Sequence, residues 1–197
     1  MKKVKLGSIL IEQRNPIGSA NGNDLELIGV SNKIGLKLST AKRIDNLSRY
    51  QKIEEGWFAY NPMRINVGSI GYAFNETHIG IVSPDYVVFS CSDEILPEYL
   101  LYLLKSDEGI EAINKNASGA VRKRLYFSDL SKIKIVLPNI VKQKKRLIAF
   151  REIEELSTSI TDQLSHECLL TQLKQSILQD AIQGKLTVEW RKQNPET

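Results

Sequence analysis

The residues best placed to do chemistry are Asn61 and Pro62, in the stretch YNPMRINVGSIG at residues 60–71. Enzymes that methylate the amino group of a base hold the flipped base at an Asn-Pro-Pro turn, and an aromatic residue after that turn stacks on it. Here Met63 and Arg64 follow the turn, so the second proline and the aromatic ring are both missing. The chain also contains no F-x-G-x-G-like stretch for a sulfonium cofactor. The sequence therefore predicts no methyl transfer at Asn61.

Other catalytic patterns are missing from the sequence as well. His78 and His166 are isolated, and Cys91 and Cys168 form neither a metal-binding spacing nor a disulfide framework. The Asp/Glu-x-Lys pair of many nucleases, the G-x-S-x-G nucleophile turn and the phosphate-binding loop are all absent. We expect a protein that is not an enzyme and that needs neither a cofactor nor a metal.

The positive charge of the chain is concentrated in one segment. The net charge is +4, from 27 basic and 23 acidic residues. Residues 121–146 contain nine Lys or Arg and a single acid, Asp129, so this segment carries about +8 and the rest of the chain about −4. A surface that faces a polyanion concentrates charge in this way. The alternative is an ordinary solvated surface.

Arg64 is a candidate DNA contact outside that segment. It follows a rigid Asn-Pro turn, and an arginine can read the edge of a guanine with two hydrogen bonds. Asn61 and Asn66 flank it, and for these two we favour a structural role at the end of a strand. The alternative for Arg64 is a surface ion pair.

The loop NASGAVRKRLYFSDL, at residues 116–130, holds three further candidates. They are Arg122, Lys123 and Arg124. Basic residues beside aromatic ones, on a loop between a helix and a strand, suit contacts to phosphates and base edges. We expect Tyr126 and Phe127 to anchor the loop and its cations to contact DNA. The alternative leaves the cations solvated.

A long helix is predicted after Pro138. Asn139 suits an N-cap, and no Pro or Gly occurs again before Gly184, so the helix would be about 65 Å long. Its apolar residues recur mostly at three- and four-residue steps, with one irregularity: Ile153, Leu156, Ile160, Leu164, Leu170, Leu173 and Ile177. A stripe of this kind predicts a partner helix in a coiled coil.

Cations also lie at the start of this helix, where the macrodipole is already positive. Lys142, Lys145 and Arg146 are each mildly unfavourable there. A DNA phosphate would offset that cost, and we interpret these residues as DNA contacts. The alternative is that exposed side chains tolerate the small penalty.

The order of elements indicates an α+β fold with a mixed sheet, followed by one long coiled-coil-forming helix. Before Pro138 the pattern consists of short strands and turns, with a helix at residues 97–115. We predict a DNA-recognition domain at residues 1–139, a spacer and dimerisation helix at 140–184, and a tail at 185–197. The opening MKKVKLGSILI is too short and too interrupted for a signal peptide or a membrane span, and we expect a cytoplasmic protein without a membrane partner.

Four segments occur in an order that resembles a known family. They are EEGWFAYNPMRINVGSIG, IVSPDYVVF, ASGAVRKRLYFSDLSKIKIVLPNIVKQ and LKQSILQDAIQGKLTVEWR. Together they make residues 4–191 similar to one half of a DNA-specificity (S) subunit of a type I restriction–modification system. The resemblance implies a target recognition domain with a long spacer helix and no catalytic role. It also implies three partners: double-stranded DNA, methyltransferase subunits and a restriction subunit.

Two features differ from the family pattern. Lys142 and Gln143 stand where the family usually has Glu-Gln, so the capping box is missing. The chain also has one recognition domain and one helix where the family has two of each, which is expected of a half-subunit or of a piece of a longer chain. A half-subunit would pair with its own copy as an antiparallel homodimer on an inverted-repeat DNA site. Two alternatives remain: a helical scaffold without base readout, and a small methyltransferase-like enzyme that uses Asn61.

Overall fold

Short antiparallel strands make up most of the first part of the fold. The computed structural model describes residues 2–18, 24–40, 46–74, 79–119, 123–182 and 188–193, with the backbone alone described at 162–168, 171, 178–182, 190 and 191. The strands are β1 Lys2–Lys5, β2 Leu10–Glu12, β3 Ile28–Ser31, β4 Gly35–Leu38, β5 Gln51–Ile53, β6 Phe58–Tyr60, β7 Ile70–Tyr72, β8 Gly80–Val82, β9 Val87–Cys91 and β10 Lys134–Leu137. The helices are α1 Pro97–Lys105, α2 Asp107–Asn116, α3 Phe127–Leu130, α4 Ile140–Ile182 and α5 Val188–Gln193.

These strands form one four-stranded sheet and three two-stranded ones. The larger sheet has the order β2-β9-β6-β7, and the pairs are β1-β10, β3-β4 and β5-β8. All of these pairings are antiparallel, and one isolated bridge, Leu27 to Ile81, is parallel. The predicted α+β class is confirmed. β1 pairs with β10 in full register from Lys2–Leu137 to Lys5–Lys134, so the two ends of the strand-rich part lie side by side.

The core lies on both faces of the larger sheet, one of which packs on the β3-β4 and β5-β8 pairs. Phe58, Tyr60 and Phe89 are completely buried, and the rings of Phe58 and Phe89 stack with centroids 4.8 Å apart. Gly71 is needed where β4 crosses β7, because a Cβ at this position would clash with the backbone of Leu36. The buried aliphatic cluster on the face that packs on the two strand pairs consists of Ile28, Leu36, Ile53, Ala59, Ala73, Val82 and Val88.

Residues 97–115 are helical as predicted, but the structure divides them into two helices at Ser106. Ser106 has extended backbone angles, φ −66° and ψ 159°, and ends α1. Its hydroxyl oxygen then accepts a hydrogen bond from the Gly109 amide at 3.1 Å and caps α2. Gly109 lets the two helices pack closely, since a Cβ there would clash with the Leu103 carbonyl. Local capping by serine overrides the continuous apolar pattern.

The beginning of α4 is held by a buried side-chain amide. Gln143 is fully buried, and its Nε2 donates to the carbonyl oxygens of Glu94 at 2.9 Å and Pro138 at 2.8 Å. Its Oε1 accepts from the Leu96 amide at 2.8 Å. Asn139 caps the helix as predicted, because its Oδ1 accepts from the Lys142 amide at 3.0 Å. Gln143 therefore connects the first turn of α4 to the segment that enters α1.

The chain divides into two compact units between Leu147 and Ile148, inside α4. Leu147 is buried in the first unit, as Gln143 is, so the first two turns of α4 belong to the strand-rich unit. The second unit contains the rest of α4 and α5. Among the described helices, none combines the length and the apolar character that crossing a bilayer requires.

Replacing Gln143 with leucine tests the buried amide. Gln143→Leu conserves volume but leaves three backbone groups, at Glu94, Leu96 and Pro138, without their partner. We expect the free energy of unfolding of the first unit to fall by about 2–4 kcal/mol, since an unsatisfied buried group costs about 1–3 kcal/mol. Urea unfolding followed by tryptophan fluorescence measures this free energy, since Trp57 packs against the core. Lys144→Leu, at an exposed neighbouring position, is the control and should change it by less than about 0.5 kcal/mol. Equal losses in both variants would contradict the role of Gln143.

Tyr60 provides a test that depends on pH. Its hydroxyl has no hydrogen-bond partner among the described residues, and burial, followed by Glu12 and Asp129, raises its pKa above the ordinary value of 10.0. Above pH 10 the unfolded chain releases this proton while the folded chain keeps it, so stability falls as the pH rises. Tyr60→Phe should leave stability at pH 7 within about 1 kcal/mol and weaken the alkaline loss. Urea titrations at pH 7 and pH 10.5 measure both. A loss of about 2 kcal/mol or more at pH 7 would show that the hydroxyl is satisfied.

Candidate nucleic-acid interface

The Asn61–Pro62 stretch forms the connection between two paired strands. β6 ends at Tyr60 and β7 begins at Ile70, and between them lies a short 3₁₀ helix, Ile65–Val67. The Asn61 side-chain oxygen accepts from the Met63 amide at 3.0 Å, and its carbonyl oxygen accepts from the Arg64 amide at 2.9 Å. Gly68 ends the 3₁₀ helix with φ +77°, a backbone conformation that glycine adopts without strain. The side chain of Asn61 thus stabilises a turn, in agreement with the structural role expected for it.

Arg64 lies on the surface of this turn. It immediately precedes the 3₁₀ helix, and its side chain is exposed. No carboxylate in the described part of the chain lies within ion-pair distance of it. The surface ion pair considered for Arg64 is therefore not formed with these residues.

The basic loop, residues 118–125, is attached to the same turn. Ser118 and Arg124 exchange backbone hydrogen bonds of 2.9 Å and 2.8 Å, which closes the base of the loop. The Leu125 amide donates to the Pro62 carbonyl at 3.1 Å, which fixes the loop against the Asn61–Arg64 turn. Lys123 and Arg124 are exposed, and Arg122 lies outside the described residues. Tertiary structure therefore brings together two cationic segments that are about sixty positions apart in the sequence.

The two aromatic residues after the loop have different roles. Phe127 is half-buried and lies 6.2 Å from the ring of Phe89, as expected of an anchor. Tyr126 is 47% exposed, and its hydroxyl accepts from Arg124 Nη1 at 3.2 Å. Of the two expected anchors, only Phe127 therefore packs against a core ring, and Tyr126 holds a surface cation instead.

A groove opens beside the basic loop, and we call it the arginine groove. Its volume is about 660 Å³, and three exposed arginines line it: Arg14 after β2, Arg49 before β5 and Arg124. The Arg14 Nη2 lies 3.1 Å from Oε2 of Glu12 and 3.2 Å from its Oε1. Sequence reasoning missed Arg14 and Arg49. Each is an isolated cation in a turn, and no local pattern marks such a residue as part of a site.

The cations at the start of α4 form a separate group. Lys142, Lys145 and Arg146 are all exposed, and no α4 residue lines the arginine groove. Arg146 Nη1 donates to the hydroxyl of Tyr99 in α1 at 2.8 Å, so its guanidinium is anchored to the first unit. The seven predicted DNA contacts therefore do not all line the arginine groove.

The apolar stripe of α4 is open to solvent. Its described members in the second unit have exposed fractions from 50% to 64%: Ile153, Leu156, Ile160, Leu170, Leu173 and Ile177. Leu164 lies in the helix, and its side chain is outside the described part. Side chains of this size are seldom left exposed in a row along one element, so the stripe is a candidate contact surface.

Catalytic and metal chemistry find no support among the described residues. No group of three His, Cys, Asp or Glu side chains there could hold a metal ion. Cys91 is half-buried, and burial raises the pKa of its thiol to about 11, which disfavours the reactive thiolate. His78 lies outside the described residues, as does the side chain of His166.

Comparison with known proteins identifies the family. Residues 50–168 match the model of the type I restriction modification DNA specificity domain. The chain is 26% identical to the specificity subunit of the type I restriction enzyme EcoKI from Escherichia coli K12, over 99% of this chain and 45% of that protein. It is 27% identical to the EcoBI specificity subunit from Escherichia coli, over 66% of this chain and 28% of that protein. This chain therefore spans less than half the length of these relatives.

Two solved structures share the fold. The crystal structure of the HsdS subunit from Thermoanaerobacter tengcongensis has a TM-score of 0.66 and covers 81% of this chain and 43% of that subunit, at 18% identity. A structure from a study of complex assembly in a type I R-M system has a TM-score of 0.63 and covers 91% of this chain and 45% of that one, also at 18% identity. Since the matched domain model covers more than half of the residues, the chain belongs to the type I restriction modification DNA specificity domain family.

Proposed function

We propose that the chain is a non-catalytic DNA-reading half of a type I specificity subunit, which binds one half of a bipartite site and docks methyltransferase subunits. The observation that carries this proposal is the attachment of the basic loop to the Asn61–Arg64 turn. It joins the two segments that carry the exposed Arg64, Lys123 and Arg124, none of which has a salt-bridge partner among the described residues. Cations arranged in this way suit the sugar–phosphate backbone and base edges of double-stranded DNA.

The cations at the start of α4 contribute phosphate contacts in this proposal. Lys142 and Lys145 are exposed and have no salt-bridge partner among the described residues. They lie at the positive end of the helix dipole, so an anion there is favoured by both the side chains and the backbone. Neither side chain has the planar donor pair that reads a base with two hydrogen bonds. Their contribution is expected to be independent of DNA sequence.

The second unit makes the chain a homodimer in this proposal. Fully burying one leucine or isoleucine side chain stabilises a complex by about 1.5–3 kcal/mol, and six such side chains of α4 are at least half exposed. An antiparallel pair places the two starts of α4 at opposite ends of the coiled coil. The two recognition units would then face an inverted repeat with a nonspecific spacer between its halves.

The double variant Lys142→Ala, Lys145→Ala tests the phosphate contacts. We expect the slope of log K against log salt to become shallower by about two, since each lost phosphate contact removes about one unit. Fluorescence anisotropy with duplex DNA at several salt concentrations measures it, on the chain assembled with its methyltransferase subunits. Lys115→Ala is the control, because the exposed Lys115 already pairs with Glu111 at 2.6 Å and belongs to neither cationic group. An unchanged slope in the double variant would remove these lysines from the interface.

Leu173→Glu tests the homodimer. A carboxylate in the apolar stripe should convert a dimer to a monomer at micromolar concentration, because the ion would have to be desolvated in the interface. Sedimentation equilibrium measures the mass. Gln175→Glu adds the same charge about 200° further around the helix, at an exposed position, and should leave the dimer intact. A native chain that is strictly monomeric at this concentration contradicts the homodimer.

A further inference from the structure

Two arginines of the arginine groove are held in place by neighbouring side chains. Arg14 is held by both carboxylate oxygens of Glu12, at 3.1 Å and 3.2 Å. Arg124 is held by the hydroxyl of Tyr126 at 3.2 Å, and its backbone is fixed by the bridge to Ser118. A guanidinium that is oriented before binding loses less side-chain entropy when it forms two directed hydrogen bonds.

The groove also contains hydrogen-bond acceptors. Glu12 and Asp85 line it together with the arginines, and Asp85 is close enough to Arg124 to contribute to raising its pKa, after the larger effect of Tyr126. Carboxylates repel phosphates, but they accept hydrogen bonds from the amino group of cytosine, while arginine donates to guanine. A mixture of fixed donors and acceptors therefore suits base edges better than it suits the DNA backbone.

The start of α4 has the opposite composition. Residues 142–146 contain four cations and no acid, and their lysines are flexible point charges. The two cationic surfaces thus differ in one property: the groove combines hydrogen-bond donors with carboxylate acceptors, as base edges require, and the α4 start has donors alone.

We propose that the rim of the arginine groove reads bases, with Arg14 and Arg124 contacting guanine edges, Glu12 and Tyr126 acting as their positioning residues, and the α4 cations contacting phosphates. This assignment rests on the proposed DNA-binding function. It places the base-reading groups on the turn after β2 and at the end of the basic loop. Tyr126 acts only through Arg124, so its hydroxyl sets the preferred sequence without adding charge.

Charge-conserving substitutions test the assignment. Arg14→Lys and Arg124→Lys keep the cation but replace the rigid planar fork of donors by a flexible point charge, so the contact with a guanine edge should weaken. The experiment is enrichment from a random duplex library by the full chain assembled with its methyltransferase subunits, read out by sequencing. We expect each variant to lose the guanine preference at one position of the motif by about 10- to 100-fold, while the rest of the motif is retained.

A pair of tyrosine variants separates positioning from general structure. Tyr126→Phe removes the hydroxyl that holds Arg124, and the guanine preference assigned to Arg124 should weaken at the same motif position. Tyr99→Phe is the control, because it removes the hydroxyl that holds Arg146, an arginine outside the groove. We expect this variant to enrich the same DNA motif as the native chain. Urea midpoints of all four variants check that folding is retained.

The outcomes distinguish the two levels of the proposal. If the native assembly enriches no motif, the proposed function itself fails. If the native assembly enriches a motif and both lysine variants enrich the same one, the groove does not read bases and the further inference is overturned. A uniform loss of affinity for all sequences, with the motif unchanged, also overturns it, because that result makes Arg14 and Arg124 phosphate contacts.

Discussion

Gln143 is one of two buried polar side chains among the described residues, and its amide is bonded to three separate backbone groups. A buried amide that lost its partners would carry a large desolvation cost, so the three hydrogen bonds to Glu94, Leu96 and Pro138 must form together. They fix where α4 begins relative to the start of α1. That arrangement also brings Arg146 within hydrogen-bonding distance of Tyr99. The glutamine therefore replaces the missing capping box with a long-range connection, while Asn139 provides the local cap.

A second constraint is the attachment of the basic loop to the turn after β6. The hydrogen bond from Leu125 to Pro62 and the bridge between Ser118 and Arg124 hold both ends of a cationic segment. Cationic loops are otherwise driven apart by the repulsion between their charges. Here the backbone hydrogen bonds offset that repulsion, and the Tyr126 hydroxyl orients Arg124 at the edge of the groove. The Asn-Pro turn thus has a positional role, which accounts for its presence in a chain without the other parts of a methyltransferase site.

Cations on the first unit fall into two classes with different physics. The arginines of the arginine groove share it with the acids Glu12 and Asp85, whereas residues 142–146 contain four cations and no acid. Oriented groups favour selection among bases, and unoriented charge favours affinity for any DNA. In the proposed function these two kinds of contact lie on different elements of the fold.

The sequence by itself determined the features that depend on local patterns. The periodicity after Pro138 predicted α4, Asn139 predicted its cap, and the order of four segments predicted the family. The break between two helices at Ser106 was not predicted, because the apolar pattern continues on both sides of this serine cap. Tertiary structure alone decided that Gln143 is buried, that Tyr126 is exposed, and that Arg14, Arg49 and Arg124 share one groove. The physical reason is that these properties depend on contacts between residues far apart in the chain, and an isolated side chain in a turn has no periodicity that reports its neighbours.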